Sequence, residues 1–387
     1  MPEKVKKRHL LDYSILLPYL ILCVTGLMMV YSSTSYVAMT ANPPSTSLSY
    51  LINQSIFWVL SLIIITVMYK MKTDVFRNKK FVQIAMIVIF FLLIAAFFFE
   101  KRNGAYGWLK IASFSVQPAE YLKFIIIWFL SVTFSYRQEG IQEDFRGTVQ
   151  RPMLIVLAYT AILAFYPDFG NAVIIVMLAF VVLLSSGLNY LYTLILGGAT
   201  VVFGSLAVML VNLTGGKFLP EYIYNRFAIF TNPFADEFDK GHQMVNGYYA
   251  MFNGGLFGRG LGNSIQKRGF LKEAHTDYIF SIVMEELGLI PSIILLGILF
   301  YMVGRMFLIG IRSRDSFNSM MCIGIGTLFM SQIFINLGGI TGLIPLTGIT
   351  FPFLSQGGSS LLMLSICVGF ILNISAEEKR KQYSLNY

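Results

Sequence analysis

The sequence predicts an all-α polytopic membrane protein of about ten transmembrane helices. Three observations carry this: an apolar composition, apolar runs of span length, and basic residues gathered in short blocks between the runs. Of 387 residues, 56% are hydrophobic and 13% charged, against roughly 25% charged in an ordinary soluble domain. A mean hydropathy of +0.68, with 34 Phe, 21 Tyr and 19 Met along the chain, leaves more apolar surface than a soluble fold can hide. Disordered, collagen-like and disulfide-stapled classes are excluded. Cys23, Cys322 and Cys367 lie inside apolar runs without pairing or metal-ligand spacing and read as packing residues.

A bilayer core of about 30 Å takes about 20 apolar residues per helix. Such runs fall near residues 13–32, 51–69, 81–99, 119–135, 152–166, 171–186, 190–213, 278–304, 317–337 and 358–375. The first follows Lys4, Lys6, Lys7 and Arg8, but its apolar stretch is too long for a signal peptide and no small-residue cleavage site follows, so it is expected to remain. With the amino terminus inside, 18 of the 29 Lys and Arg fall in cytoplasmic segments. The external segments 33–50 and 338–357 carry no charge, which is the positive-inside pattern. The net charge of +9 therefore reflects topology and not nucleic-acid binding. Ten spans place both termini in the cytoplasm. The chain reads as a single membrane domain, residues 1–387, with one large extracellular loop, 214–276, between spans seven and eight.

That loop is the first place to look for chemistry, because long loops in compact proteins are usually functional. It holds Arg226, Asn232-Pro233, and the run Asn253 to Gly262 with five glycines around Arg259. Such a run either forms plain turns or cradles an anion on its backbone amides. The loop ends in Glu273-Ala274-His275-Thr276-Asp277 and enters the eighth span, so Asp277 stands at the outer rim. There it is either a helix cap or a general base whose pKa partial desolvation raises. Glu285 and Glu286 lie two turns further in, where acids demand a partner, as packing glue or as catalysts.

Trp108 precedes Gln117-Pro118-Ala119-Glu120, which opens the fourth span; Glu120 and Lys123 share a helix face and suit either an internal ion pair or a charged head group. Pro167-Asp168 marks the turn between spans five and six. The uncharged segment from Pro345 to Ser360 is too rich in Pro and Gly for a helix and must line a cavity or be buried in protein, with Ser359 and Ser360 suited to cap the last span.

In this order and topology the motifs resemble those of the SEDS family, the FtsW/RodA/SpoVE polytopic proteins of bacterial cell-wall synthesis. The resemblance runs from Asp12-Tyr13 to the last span. It rests on Trp108, Gln117 to Glu120 with Lys123, Pro167-Asp168, Asn232-Pro233, the glycine run, His275-Thr276-Asp277, Glu285-Glu286-Leu287-Gly288 and Pro345 through Ser360. Within the family, Leu346 to Phe353 is most similar to the division-type FtsW branch, with the RodA-type elongation branch as the alternative. Gly107, Phe169, Asn171, Met284 and Gln356 depart from the commoner residues.

The resemblance implies a peptidoglycan glycosyltransferase that polymerises lipid II outside the plasma membrane, at the division septum. Its implied partners are a class B penicillin-binding protein, which cross-links the product, and other divisome proteins. Asp277 would be the catalytic base. Lys123, Arg259, Arg226 and Lys272 would meet the pyrophosphate, and Glu120 would orient Lys123. Trp108 would stack on sugar or anchor at the interface, and Asp168, His275, Ser359 and Ser360 complete the candidate substrate-binding set. No metal-site spacing exists; a divalent cation, Mg or Mn, bridging the pyrophosphate is admitted without assigned ligands. The rival readings are a lipid II flippase and a non-catalytic scaffold for the cross-linking enzyme.

Overall fold

The computed structural model of the chain describes residues 10–40, 44–99, 106–111, 114–138, 146–187, 229–237 and 241–385, with scattered residues from 191 to 198. Helix α1 (Tyr13–Ser33) starts where the Asp12 carboxylate accepts from the Ser14 amide at 3.2 Å. Short α2 (Ser35–Thr40) leads to α3 (Ser47–Lys70), and α4 (Thr73–Arg77) leads to α5 (Lys79–Ala96), which Asn78 caps. A hairpin of β1 (Leu109–Ile111) and β2 (Phe114–Val116), with Leu109 opposite Val116, delivers the chain to α6 (Pro118–Ser135). Pro118 sits in the first turn of α6, where no amide is missed.

One turn of π-helix, Arg146–Gln150, runs into α7 (Arg151–Phe165), and Asp168 caps α8 (Phe169–Leu184). After a 3₁₀ turn (Pro233–Asp236) come α9 (His242–Asn253), α10 (Ile279–Leu287), α11 (Leu289–Arg312), α12 (Ser316–Ile340) and α13 (Gly358–Leu385).

Among the described residues eight helices are long and apolar enough to cross a membrane, and Phe169–Leu184 is a ninth, shorter apolar helix. Together they account for nine of the ten expected runs; the seventh, 190–213, lies largely outside the described residues. The expected eighth span, 278–304, is in fact two helices. It breaks at Gly288, whose φ of +91° suits glycine, and a methyl group there would lie 2.3 Å from the Gly258 amide nitrogen. The backbone of the glycine loop is packed into the break, so α10 is a separate short helix and only α11 spans.

Burial sorts the spans into layers. Within α12 and α13, 78% and 89% of the span is buried, against 22% and 28% in α3 and α5, so α12 and α13 form the centre and α3 and α5 face lipid. Phe370 on α13 gathers Phe76, Phe124 and Phe317 with ring centroids 4.8 to 6.2 Å away. Asn373 donates to the carbonyls of Met68 and Met71 at 2.7 and 2.9 Å, which satisfies the end of α3 that no intrahelical amide reaches.

One end of the bundle is tied by ion pairs. Asp12 receives Arg305 at 2.9 Å, Ser375 at 2.8 Å and Lys379 at 3.4 Å, joining α1, α11 and α13. Arg77 binds Asp315 at 2.7 Å. Burial alone would raise the Asp315 carboxyl, but the Arg77 guanidinium and the Asn318 amide bring it below the ordinary carboxylate value. This is the basic end, the side that the positive-inside pattern assigns to the cytoplasm. The irregular segments and Asp277 lie at the other end.

Candidate active site

The segment between α12 and α13 folds back over the ends of the helices opposite the ion-pair networks. Phe351 stacks on Phe280 of α10 at 4.8 Å. Phe353 takes a left-handed φ of +63°, a strained choice for a bulky residue. Its carbonyl lies against Gly26 of α1, where a methyl group would come within 2.2 Å of the oxygen. Three anchors fix residues 275–277 to this segment. Asn336 of α12 donates to the Asp277 and Ile349 carbonyls at 2.8 Å each. The Ser355 hydroxyl donates to the Thr276 carbonyl at 2.7 Å, and the Gln356 amide to the His275 carbonyl at 2.9 Å. Asp277 is half-buried, and its Oδ2 lies 3.6 Å from where a methyl group on Gly348 would stand. With φ of +78°, Gly348 occupies backbone space that other residues rarely adopt.

Near the start of α8 is a second polar cluster. Gly170, in the first turn of α8, is so close to Thr347-Gly348 that a methyl group on it would lie 3.0 Å from the Thr347 side chain. Two residues earlier, Asp168 accepts from the Asn171 side chain at 2.8 Å, the Asn171 amide at 3.2 Å and the Gln117 side chain at 3.4 Å. Burial pushes the Asp168 carboxyl above its ordinary value, against the pull of the Asn171 hydrogen bonds and the Lys123 charge. Lys123 is wholly buried and donates to Glu120 Oε1 at 2.7 Å. Among the described residues Glu120 Oε2 and Asn171 Oδ1 have no hydrogen-bond partner. Thr347 thus lies against Gly170 and Gly348 against Asp277, while the Lys123 and Glu120 charges act on Asp168.

Ser359 and Ser360 join the cluster in a different role from the expected helix cap, because α13 begins at Gly358 and both fall within its first turn. The Ser359 hydroxyl accepts from the Gln117 amide at 3.1 Å and donates to the Ser115 carbonyl at 3.4 Å, which ties the hairpin to the site. Ser360 accepts from Thr350 at 3.1 Å. Trp108, half-buried, stands at the start of the same hairpin. His275, also half-buried, lies edge-on to Tyr50 with centroids 6.4 Å apart.

The glycine run forms turns and offers no open anion cradle. Its amides are taken by α10: Arg259 and Gly260 donate to the Glu285 and Glu286 carbonyls at 2.9 and 3.0 Å. The Gly262 and Ser264 amides donate to the Glu286 carboxylate at 3.0 and 3.4 Å, and those of Ile265 and Gln266 to Glu285 at 3.0 and 3.4 Å. Glu285 and Glu286 therefore fasten the loop to α10. Their missing partner is Lys267, 4% exposed, which donates to Glu286 at 2.7 Å and to Ser32 of α1 at 2.8 Å. Lys267 carried no signal by type or motif beyond the demand that two buried acids be paired. Arg259 and Lys272 are exposed, and Arg226 lies outside the described residues.

The model of the FtsW/RodA/SpoVE family, described as cell cycle protein, matches residues 13–380. A probable peptidoglycan glycosyltransferase FtsW of Lactococcus lactis is 42% identical, covering 98% of this chain and 96% of its own. The protein of the same description in Bacillus subtilis is 36% identical over 100% of this chain and 96% of its own. Among solved structures, a chain from a peptidoglycan synthase complex that coordinates polymerization and crosslinking superposes with a TM-score of 0.73, covering 96% of this chain and 99% of its own at 21% identity. The rod shape determining protein RodA of Thermus thermophilus gives 0.65, covering 94% of this chain and 96% of its own at 20% identity. At such identities the structural likeness is one of fold; with the family match over nearly the whole chain and the relatives at higher identity, the chain belongs to the FtsW/RodA/SpoVE family of cell cycle proteins.

Proposed function

We propose that the chain is a peptidoglycan glycosyltransferase that polymerises lipid II for septal wall synthesis, with Asp277 as its general base. The observation that carries the reading is that adjacent residues of one segment, Thr347 and Gly348, lie close to the Gly170 end of α8 and to the Asp277 carboxylate respectively. A single displacement needs a base at the attacking hydroxyl and positive charge at the leaving group, close together but on different residues.

In the proposed reaction the C4 hydroxyl of the acceptor disaccharide gives its proton to Asp277 as its oxygen bonds to the anomeric carbon of the donor. The bond from that carbon to the pyrophosphate oxygen breaks, and undecaprenyl pyrophosphate leaves with the electron pair and with inversion at the carbon. Lys123 supplies buried positive charge toward the leaving group, with Glu120 holding its ammonium. Exposed Arg259 and Lys272, with Arg226, attract the headgroups electrostatically. The unpartnered oxygens of Glu120 and Asn171 are acceptors, which suits sugar hydroxyls. Trp108, His275, Ser359 and Ser360 complete the proposed substrate-binding set. The residues offer a divalent cation no cage, since among those described no three His, Cys, Asp or Glu group together.

The partners proposed are a class B penicillin-binding protein and other divisome proteins. The test is lipid II polymerisation by the purified protein with its cognate cross-linking partner present and that partner's active site blocked. Asp277→Asn, folded and still partner-bound, is expected to make no resolvable glycan chains, a loss of about 100-fold or more. Chains of normal length from the mutant would end the assignment of Asp277. Transport of lipid II across vesicles without polymerisation would favour a flippase, and neither activity with intact partner binding would favour a scaffold.

A further inference from the structure

We propose that a cleft between α5, α6 and α7, at the end of the bundle opposite Asp277, binds the phosphate headgroup of an anionic glycerophospholipid. The cleft has a volume of about 270 Å³. That is room for a headgroup and not for a drug-sized ligand, whose pockets run to about 300–1,000 Å³. Three cations from three parts of the chain converge on it: Lys79 from the first turn of α5, Arg137 just beyond α6, and Arg151 from the first turn of α7. Below them the walls are apolar, made by Val82, Phe129 and Val132, with Ile155 opening toward the lipid-facing surface at 41% exposure.

Two of the cations are held in place without being neutralised. The Lys79 ammonium stands 4.0 Å from the centroid of the Tyr136 ring. Arg137 donates one N–H to the Gly147 carbonyl at 3.0 Å, which leaves most of its five donors for another acceptor. Among the described residues none of the three forms an ion pair, whereas Arg77, Arg305 and Lys379 at the same end of the bundle each hold a carboxylate. Positive charge at this end is what topology requires, but topology does not require three charges over one apolar cleft. A phosphodiester presents two charged oxygens to cations while its acyl chains continue along apolar helix faces, and basic pockets between spans on the cytoplasmic side bind anionic lipid headgroups in this way. The connection from α6 to α7 also carries Glu139, Glu143 and Asp144, outside the described residues, and the test includes them.

The full-length protein in detergent is titrated with phosphatidylglycerol, phosphatidylcholine or inorganic phosphate and its bound species are resolved by native mass spectrometry. Wild type is expected to retain phosphatidylglycerol in preference to phosphatidylcholine, and inorganic phosphate at millimolar concentration is expected not to displace it. Combining Lys79→Gln, Arg137→Gln and Arg151→Gln should weaken binding about 100-fold, at near-surface cation strength for each charge. Lys79→Gln alone, a change at an exposed position, should give about fivefold. Changing Lys72, Arg312 and Arg314 to Gln, three exposed basic residues off the cleft, should leave binding unchanged. Equal retention of phosphatidylcholine, displacement by inorganic phosphate, or equal loss in the off-cleft variant would overturn the proposal. So would a wild type that binds lipid only after Glu139, Glu143 and Asp144 are neutralised, since the cleft would then belong to the chain's own carboxylates.

Discussion

Two sets of buried acids lie near the outer ends of the helices, and they are treated in opposite ways. Around Glu285 and Glu286 every carboxylate oxygen accepts at least one hydrogen bond, from Ser32, Ser264, Lys267 or the loop amides. Around Glu120 and Asp168, Glu120 Oε2 and Asn171 Oδ1 are left without a partner, and burial raises the Asp168 carboxyl. Buried polar atoms are nearly always satisfied, so the exceptions are informative. The first network is complete as structure. The second has acceptors and a charge still to offer, which is the state of a site awaiting a ligand.

The largest effect that would break this comparison is on the first network. Glu286→Ala leaves the buried Lys267 ammonium with the Ser32 hydroxyl alone and takes the acceptor from that hydroxyl and from the Gly262 and Ser264 amides. Removing one partner of a buried ion pair typically costs about 3–5 kcal/mol, so a fall of that order in stability is expected by thermal unfolding in detergent. Because the loop ends at Asp277, polymerisation should fall with it. A loss below about 1 kcal/mol, the worth of an exposed pair, would mean that the network fastens nothing.

A middle-sized effect tests the second network, and here stability and activity should separate. Glu120→Gln combined with Lys123→Met removes both members of the pair, and a buried pair replaced as a whole is often neutral or better for stability. Stability should stay within about 1–2 kcal/mol of wild type, while polymerisation falls about 100-fold through loss of charge at the leaving group. Full activity in the folded double variant would return the pair to a structural role. The matching change at Glu286 and Lys267 should not be tolerated, because the Glu286 carboxylate serves backbone amides as well.

The legible parts of this molecule are those decided by neighbours in sequence. Apolar run length announces α1, α3 and α12, and the three-residue spacing of Glu120 and Lys123 announces their ion pair. The break at Gly288 is not decided by hydropathy, because apolar residues resume directly after Glu285-Glu286; the loop packed into the break decides the matter. The glycine run was ambiguous for a similar reason. Whether its amides face an anion or a protein acceptor depends on the Glu285 and Glu286 carbonyls and the Glu286 carboxylate, about 25 residues further along the chain. Nothing in the sequence separates buried Lys267 from exposed Lys272, since the partner that Lys267 meets beside Glu286 is Ser32, 235 residues away in sequence. Asp277, Asp168 and Lys123 were each readable as candidates. The approach of Asp277 to Gly348 and of Gly170 to Thr347 is a property of the folded segment, whose Phe353 and Gly348 both take left-handed backbone.

The smallest effect concerns Asp168, and its sign follows from burial. A carboxyl whose folded pKa lies above the unfolded value of 3.8 binds its proton more tightly in the folded state. Its contribution to stability is therefore fully present below pH 3.8 and is lost as the pH rises through the folded value. Asp168→Asn abolishes this dependence while keeping a residue that caps α8 equally well. At neutral pH, where the folded wild type carries the Asp168 charge against the cost of burial, the variant should be the more stable of the two. That difference should shrink as the pH is lowered and wild type takes up its proton. Thermal unfolding of both proteins between pH 4.5 and 7.5 reads the difference directly, since every other acid titrates equally in the two. A difference that grows toward low pH would place the carboxyl below its ordinary value, and Asp168 would then belong with Glu285 and Glu286 among the acids whose charge the fold has already stabilised.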